Sequence, residues 1–425
     1  MMKGFMGKTG IFSLFLFLLL QFTFAAGLAA VAHAGETGVL VDKLVEKGVL
    51  SRTEGDELLE ETKETKNEDL DKIAKALKGI KIEGLWYISY GYGKTGSTGD
   101  STRFNSFNLK RGYLTVKKEF APWFAGRITT DITTVKTSSH LTEPGENVSL
   151  NLDGSVAIRI KYLYGQFKAP DLAFLTKPEL EVGLVHTPWL DFEEHINYYR
   201  LQDTMFLERN GIMNSADFGL TFASLLGGLV DEGYRNQVNS HYPGRYGSVQ
   251  LGVYNGGGYH AGEQNRNKVL EGRLTIRPLP DIIPGLQLTY FGVTGKGNSS
   301  AEPDWKTNLG FASFEHEYLV VTGQYFWGKG SSSGSNDNDK RGYSFFAELK
   351  PLKKISLIGR YDHFDPNRNL SSDVSGENNR YIGGVAYHID KRHHNMVLLD
   401  YDTVHYKEPG KSHDERVQLT LQVTF

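Results

Sequence analysis

The sequence predicts an all-β fold, a transmembrane antiparallel β-barrel of about 16 strands with a short N-terminal helical segment. Three observations predict it. From position 81 onward, apolar and polar residues alternate in segments of about ten residues, which suits strands that face lipid on one side and water on the other. The connections alternate between short turns and long polar loops. The last stretch, residues 416–425, alternates throughout and ends on Phe425.

Composition agrees with this fold and argues against several function classes. The chain has 425 residues, of which 39% are hydrophobic, which is too polar for a bundle of membrane helices. Its 22 Tyr, 24 Phe and 48 Gly fit aromatic girdles and tight turns. The chain has no Cys, so a disulfide, a thiolate metal site and covalent haem attachment are excluded, and we expect no metal or other cofactor. A net charge of -3 argues against nucleic-acid binding.

Residues 1–34 have the pattern of a secretory signal peptide. Lys3 and Lys8 precede an apolar stretch over 11–24, and a small-residue segment ends in Ala32-His33-Ala34. The alternative is an N-terminal membrane anchor, but the apolar run is short for a spanning helix. We therefore expect cleavage near residue 34.

Residues 35–79 differ from the rest of the chain in the spacing of their apolar residues. Apolar residues recur at helical spacing, Gly48 interrupts them, and Ser51-Arg52-Thr53-Glu54 has the pattern of a capping box. This predicts a small helical segment before the barrel, which spans 80–425. Two roles stay open for the segment, a tether for the barrel base or a docking site for a periplasmic partner.

The alternating part of the chain divides into about 16 strands. They are expected over 81–92, 105–117, 123–135, 155–168, 179–187, 215–224, 246–254, 268–277, 285–294, 306–315, 318–327, 342–350, 354–363, 380–389, 395–406 and 415–425. An even number places both ends of the barrel on one side of the membrane. The stretch 225–245 is too long for the turn expected there, and an additional hairpin within it would raise the number to about 18.

Alternation also predicts which charged residues face the water-filled interior. A charge on the lipid face costs about 2–4 kcal/mol at the membrane midplane, so the charged face of each strand is expected to point inward. The predicted lumen wall consists of Arg127, Asp131, Arg159, Lys161, Glu271, Arg273, Arg277, Arg360 and Asp362. Each is interpreted first as a solvated wall charge rather than as a binding residue.

The connection 189–215 differs from the other long loops because it mixes many large apolar residues with charges. Folded into the barrel, such a loop packs its apolar residues against the wall and lines the remaining opening with its charges. The predicted pore constriction consists of Asp191, Glu193, Glu194, Arg200, Asp203, Glu208 and Arg209. The alternative is an ordered lid or a subunit contact outside the barrel.

Short motifs resemble the phosphate-selective porin O and P family. Residues 107–114, Phe-Asn-Leu-Lys-Arg-Gly-Tyr-Leu, are similar to its early basic strand, and 183–188 with 193–194 and 206–210 are similar to its fifth strand and following loop. The strand ending on Phe425 resembles the sorting signal of bacterial outer-membrane barrels. The resemblance implies a 16-stranded, often trimeric barrel in the outer membrane of a Gram-negative bacterium. His186 stands where the family commonly shows Lys, and the predicted inward charges are nearly balanced, so we expect a weak anion preference.

Two functions follow as hypotheses. The first is a porin for passive diffusion of small hydrophilic solutes, a homotrimer surrounded by outer-membrane lipid and lipopolysaccharide. We expect no enzymatic activity, because the chain has no Gly-x-Ser-x-Gly elbow and no Cys nucleophile. The second is the barrel sheath of an electron conduit that houses a partner multihaem cytochrome. The position of 189–215 discriminates between them, since a loop that fills the lumen leaves no room for a cytochrome.

Overall fold

The computed structural model describes residues 40–47, 49–97, 99–134, 139–143, 146–150, 155–390 and 394–425. The expected signal peptide, 1–34, lies outside these residues. The chain divides into two compact units, Met1–Lys78 and Gly79–Phe425. Among the described residues, no helix is both long enough and apolar enough to cross a membrane.

The first unit is helical where it is described. Residues 40–46 form a short helix, and a 26-residue helix spans Arg52–Leu77. Ser51 and Glu54 form the reciprocal bonds of a capping box, because the Glu54 amide donates to Ser51 Oγ at 3.2 Å and the Ser51 amide donates to Glu54 Oε2 at 2.8 Å. A Cβ at Gly55 would lie 2.7 Å from Val45 Cγ2, so this glycine lets the two helices approach.

The second unit is a β-barrel with an accessory hairpin. Its strands are β1 Ile80–Ser97, β2 Asp100–Ala121, β3 Phe124–Thr134, β4 Ser139–Glu143, β5 Glu146–Leu150, β6 Val156–Lys168, β7 Leu175–His186, β8 Ala216–Leu226, β9 Gly247–Tyr254, β10 Val269–Ile276, β11 Leu286–Lys296, β12 Asp304–Glu315, β13 Leu319–Lys329, β14 Asp339–Leu352, β15 Ile355–Asp365, β16 Asn378–Asp390, β17 Asn395–Tyr406 and β18 Asp414–Thr424. Short helices span Leu190–Glu194, Phe206–Arg209 and Glu232–Gln237.

The barrel is closed and entirely antiparallel. Sixteen strands form it, β1 to β3 and β6 to β18, and each pairs with its neighbours in chain order, with β3 against β6 and β18 against β1. β4 and β5 form a separate two-stranded hairpin within the β3–β6 connection. The prediction of 16 strands is confirmed, and the alternative of 18 barrel strands is wrong. The stretch 225–245 contains the helix Glu232–Gln237 and one isolated bridge, Leu229 to Gly244, rather than a hairpin of the barrel.

Phe425 takes part in barrel closure. Its amide donates to the oxygen of Gly84 at 3.2 Å, and the Gly84 amide donates to the oxygen of Phe425 at 3.0 Å. A Cβ at Gly84 would lie 2.2 Å from the Phe425 ring, so only glycine lets the ring lie over β1. Trp86 contacts the same ring edge-on at 5.4 Å. We call this end of the barrel the turn end and the opposite end the loop end.

The outer surface of the barrel is apolar. Leu220, Leu251 and Leu270, for example, leave about half of their surface exposed, while the alternate residues of the strands are buried. Aromatic residues gather at the turn end, where Phe124 contacts Phe120 at 5.4 Å and Phe167 at 5.1 Å between ring centroids. Soluble monomers rarely expose apolar patches beyond about 300–600 Å². This surface is therefore that of a membrane-spanning barrel.

Candidate pore

Residues 189–215 lie inside the barrel and are held by strands on several sides. Arg273 on β10 donates from Nε to the oxygen of Pro188 at 2.8 Å, where the loop begins. Gln324 on β13 donates to Glu193 Oε1 at 2.6 Å. Lys110 on β2 donates to the oxygen of Leu201 at 2.7 Å. The loop therefore crosses the lumen, and we call it the constriction loop.

The apolar residues of the constriction loop pack against strands β11 to β15. Trp189 stacks on Phe291 at 5.7 Å between ring centroids and contacts Phe311 edge-on at 5.2 Å. Phe206 contacts the wall at Gly342, where a Cβ would lie 2.7 Å from its ring. All of these aromatic side chains are buried. Burying a large apolar side chain contributes about 1.5–3 kcal/mol, which explains why this loop is apolar on one side.

An ion-pair network fixes the middle of the loop to β15–β18. Asp203 contacts Arg380, lies 3.5 Å from Arg416 and lies 3.6 Å from Arg209 Nε. Arg209 in turn contacts Asp362 at 2.6 Å. Burial opposes ionisation of Asp203, but Arg209, Arg380 and the neighbouring cations outweigh it and hold the pKa of Asp203 well below its usual value. These contacts anchor the loop.

Three of the predicted constriction residues make contacts that anchor the loop to the barrel wall. Asp203 and Arg209 belong to the anchoring network, and Glu193 is bound to Gln324 on the same side of the lumen. Burial raises the pKa of Glu193 to about 7, and its hydrogen bond with Gln324 offsets this in part. The sequence identified the charges of this loop but could not tell which of them serve as anchors.

The other predicted constriction residues are four further charges of the loop, three of which form one ion-pair cluster. Arg200 contacts Glu194 on one side and Glu208 on the other, the latter at 2.6 Å. Burial raises the pKa of Glu208. The neighbouring Arg200, Arg111 and Lys161 outweigh this effect, so the pKa of Glu208 lies below its usual value. Asp191 is the fourth member of this group.

A group of basic residues, which we call the basic wall, lies on adjacent strands of the barrel. Arg111 on β2, Arg127 on β3, and Arg159 and Lys161 on β6 form it on three adjacent strands. Arg159 is paired with Asp131 at 2.7 Å, and Arg127 donates to His186 Nε2 at 3.2 Å when the ring accepts there. The predicted wall residues Arg127, Asp131, Arg159 and Lys161 are thus brought together, and Arg111 joins them.

Tyrosines hold these cations in place. The Tyr113 ring lies between Arg111, at 5.0 Å from its centroid, and Lys161, at 4.4 Å. Lys161 also donates to the Tyr113 hydroxyl at 2.8 Å. The Arg127 guanidinium lies 4.6 Å from the centroid of Tyr162. Contacts of this kind contribute about 0.5–2 kcal/mol each and keep the cationic groups extended along the wall.

Two β-bulges create the basic wall. Between β1 and β2 the register shifts beside Arg111 and leaves Lys110 as an extra residue. Between β3 and β6 a similar shift leaves Lys161 extra. A bulge re-aims side chains, so Lys110 reaches the constriction loop while Arg111 faces the opening. Lys161 and Tyr162 are both buried inside, although strict alternation would direct one of two successive residues toward the lipid.

The basic wall continues to the turn end. A cavity of about 280 Å³ lies there, and its lining includes Lys81, Lys117, Arg127 and Lys168. Lys117 is partly neutralised by Glu83, whose carboxylate lies 2.8 Å from its Nζ. Cationic groups therefore extend from the constriction to the turn end along one side of the barrel.

A second loop enters the lumen from the turn end. Residues 227–246 connect β8 and β9, and we call them the turn-end insert. Asn239 donates from Nδ2 to the oxygen of His195 at 2.7 Å and to Glu315 Oε2 at 2.6 Å. Tyr242 donates from its hydroxyl to Asp191 Oδ2 at 2.6 Å. The insert and the constriction loop therefore meet inside the barrel.

Two histidines stack where the loops meet. The rings of His195 and His241 lie 3.9 Å apart between centroids, and His195 Nδ1 lies 3.3 Å from Asp191 Oδ2. Burial lowers the pKa of His195. The neighbouring Asp191 outweighs this effect and raises the pKa of His195 to about 9. Burial and the neighbouring His195 lower the pKa of His241 to about 3. His195 thus pairs with Asp191, and the tilted His241 ring lies against it.

The remaining predicted wall residues lie beneath the two loops. Arg273 holds the start of the constriction loop, and Arg277 donates to the oxygen of Gly244 in the insert at 3.3 Å. Arg360 donates to the oxygen of Thr204 at 3.0 Å, beside its partner Asp362. Glu271 is buried among the described residues without a hydrogen bond to Oε2. The inward direction of these residues follows from alternation. Their burial depends on the two loops, and alternation does not predict the path of those loops.

The two loops also bear on the alternative hypotheses. Within the described part of the chain, no group of three or more His, Asp or Glu residues is arranged to hold a metal ion. The constriction loop reaches strands on several sides of the barrel, and the insert meets it from the turn end. A lumen filled in this way has no room for a multihaem cytochrome.

Comparisons with known proteins agree with the fold. No family model and no curated protein matches the sequence. Among solved structures, the barrel is similar to OmpF of Salmonella typhi in complex with daunomycin, with a TM-score of 0.54 and 10% identity over 81% of this chain and 97% of that one. It is also similar to an anion-selective porin from Comamonas acidovorans, with a TM-score of 0.52 and 10% identity over 81% of this chain and 99% of that one. The chain has a porin fold.

Proposed function

We propose that the protein is an outer-membrane porin through which small hydrophilic solutes diffuse passively, with a weak preference for anions. Solutes pass between the constriction loop and the basic wall. The observation that carries the proposal is a closed barrel whose lumen is crossed by the constriction loop and whose strands β2, β3 and β6 carry Arg111, Arg127 and Arg159. No energy source is required for such passage.

The charges at the opening favour anions only modestly. Arg200 neutralises much of Glu194 and Glu208, and His195 neutralises Asp191, so the loop side carries little net charge. The cations of the basic wall are balanced only in part. One unbalanced charge about 7 Å from a passing ion contributes about 0.6 kcal/mol in water, which changes local ion concentration about threefold. The anion-selective neighbour from Comamonas acidovorans is in keeping with this direction.

Reversal potentials in a salt gradient test the proposal. Purified protein in a planar bilayer is expected to conduct ions in discrete steps, with a reversal potential that indicates a modest excess of chloride over potassium permeability. A clear preference for potassium contradicts the proposed selectivity. An intact barrel that conducts no ions contradicts the porin function itself.

Two further predictions concern partners. We expect a homotrimer, which the mass of the detergent-solubilised complex tests directly. A periplasmic partner of residues 35–79 is tested by pull-down from a periplasmic extract, with the chain lacking these residues as the control. Binding that persists without 35–79 contradicts the docking role.

A further inference from the structure

A polar cavity of about 200 Å³ lies inside the barrel near the loop end. Residues of β15 to β18 form most of its lining, and Arg209 and Asn210 of the constriction loop complete it. The strand residues lie on the same faces as Asp402 and Gln418, which are buried inside the barrel, so they point inward. Strands β16 and β18 begin at this cavity and β17 ends there. The cavity therefore lies on the loop-end side of the ion pairs that anchor the constriction loop.

The charges that line the cavity cancel. Two guanidinium groups and two carboxylates take part, those of Arg209, Arg380, Asp362 and Asp414. Arg209 donates from Nη1 to Asp362 Oδ2 at 2.6 Å, and Arg380 donates from Nε to Asp402 Oδ1 at 2.7 Å. An ion of either sign would meet two groups of like charge as well as two of opposite charge. The lining therefore favours a solute without net charge.

The two asparagines of the cavity have acceptors to spare. Asn210 donates from Nδ2 to the oxygen of Phe206 at 2.9 Å, and Asn378 donates from Nδ2 to the oxygen of Gly376 at 3.1 Å. An amide oxygen has two lone pairs. These contacts leave the side-chain oxygen of each asparagine to accept hydrogen bonds from a bound solute.

Asp414 and Tyr406 add further acceptors. The Gly96 amide donates to Asp414 Oδ1 at 2.6 Å, and the Tyr406 hydroxyl donates to Asp414 Oδ2 at 2.7 Å. An ionised carboxylate has about four acceptor positions, and a hydroxyl that donates its proton still accepts. The groups left over are thus mainly acceptors, and they require a solute that donates. Chloride and carboxylates have no donor to offer.

One side of the cavity is apolar. Phe364 on β15 and Val404 on β17 belong to the lining, and Phe364 is 6% exposed. Sites for small molecules commonly combine a few placed polar groups with an aromatic or aliphatic surface. A solute that suits this cavity therefore has hydroxyl donors on its edge and an apolar C–H face.

We propose that this cavity binds a small neutral polyhydroxylated solute of the monosaccharide class. Hydroxyl groups of the solute donate to Asn210, Asn378 and Asp414, and the C–H face of its ring packs against Phe364. The proposal rests on the proposed porin function, to which it adds a binding step on the loop-end side of the constriction loop. Such a site collects a dilute solute where it enters the barrel.

Binding of D-glucose tests this site. The full chain is reconstituted in phosphatidylcholine nanodiscs, and saturation-transfer difference NMR measures the dissociation constant of D-glucose. The variants are N378A/Y406F, which removes two polar groups, and V404F, which fills the cavity. Asn369→Ala is the matched control, because Asn369 is an exposed asparagine of the loop between β15 and β16. Glycine, sodium phosphate and tetrahydropyran, a ring without hydroxyl groups, are the competitors. Circular dichroism verifies the barrel of each variant, and either folded cavity variant suffices for the test.

We expect wild type and N369A to bind D-glucose equally. The cavity variants should raise the dissociation constant by about fivefold or more, because hydrogen bonds or the space for the ring are lost. The proposal is overturned if wild type does not bind D-glucose, if the cavity variants bind it as tightly as wild type, or if N369A weakens binding equally. Displacement of D-glucose by an equal concentration of glycine or phosphate also overturns it, because the site then prefers a charged solute. Displacement by tetrahydropyran does the same, because the hydroxyl groups are then not recognised.

Salt conductance of wild type, measured in parallel, separates this proposal from the porin function. Conductance without D-glucose binding contradicts the cavity site alone. D-glucose binding without conductance contradicts the porin function alone.

Discussion

Asn239 donates a hydrogen bond from Nδ2 to the backbone oxygen of His195 at 2.7 Å, and this bond joins two loops that enter the barrel from opposite ends. The same amide group donates to Glu315 on the barrel wall at 2.6 Å. Asn239 is 6% exposed. One side chain thus connects the constriction loop, the turn-end insert and β12, so the position of the constriction loop depends on the insert.

Replacing Asn239 by Ala should loosen this junction. The variant removes the donor to Glu315 Oε2 and to the oxygen of His195, at a cost of about 1–3 kcal/mol. We expect larger and noisier single-channel currents than in wild type. Asn236→Ala is the matched control, because Asn236 is an exposed asparagine of the same insert. Identical current noise in all three proteins would show that the insert does not hold the constriction loop.

Arg111 should contribute to anion preference. Replacing it by Gln removes one positive charge from the opening, and we expect the ratio of chloride to potassium permeability to fall by about threefold. Reversal potentials in a salt gradient measure this ratio. Arg103→Gln is the control, because Arg103 belongs to the same strand but lies on its outer face near Lys94. An equal fall in both variants would contradict a local effect at the pore.

Selectivity should also depend on pH through His195. Its pKa is raised to about 9, so its contact with Asp191 contributes fully below the unfolded pKa of about 6.5 and is lost as pH rises through about 9. We expect anion preference to weaken between pH 7.5 and 9.5 in wild type. In His195→Gln the preference should already be weak at pH 7.5 and change less. Parallel pH curves for the two proteins would rule out this role.

Asp203 should stabilise the barrel. Removing one member of a buried ion pair lowers the free energy of unfolding by about 3–5 kcal/mol. The side chain of Asp203 is 26% exposed, so we expect Asp203→Asn to lower it by about 2–3 kcal/mol. The loss leaves Arg380, Arg416 and Arg209 with fewer partners. Urea unfolding in lipid vesicles measures the change in the free energy of unfolding. Asp373→Asn, at an exposed loop position, is the control. Equal midpoints for the two variants contradict the anchoring role.

The strands could be predicted because alternation is a property of each segment by itself. The entry of residues 189–215 into the lumen could be anticipated because many large apolar side chains have no place in a water-exposed loop. Arg111 was the member of the basic wall that alternation did not predict. Bulges at Lys110 and Lys161 shift the alternation by one residue, and the pairing that creates a bulge depends on the neighbouring strand.

The turn-end insert shows a second limit of sequence reasoning. Its length was anomalous for a turn, and this was a usable signal. Its contacts, however, join residues far apart in the chain, such as Asn239 with Glu315 and Tyr242 with Asp191. Neither composition nor spacing indicates such pairs. Which of the loop charges form ion pairs with the barrel wall was unpredictable for the same reason.

Chemical modification of a cysteine at position 111 tests the central claim most directly. The chain contains no Cys, so a methanethiosulfonate reagent added to Arg111→Cys in a planar bilayer reacts at that site alone. If solutes pass along the basic wall, a bulky reagent should reduce single-channel conductance sharply, while Arg103→Cys on the outer face should be unaffected. Undiminished conductance after complete labelling of Arg111→Cys would contradict a pore between the basic wall and the constriction loop.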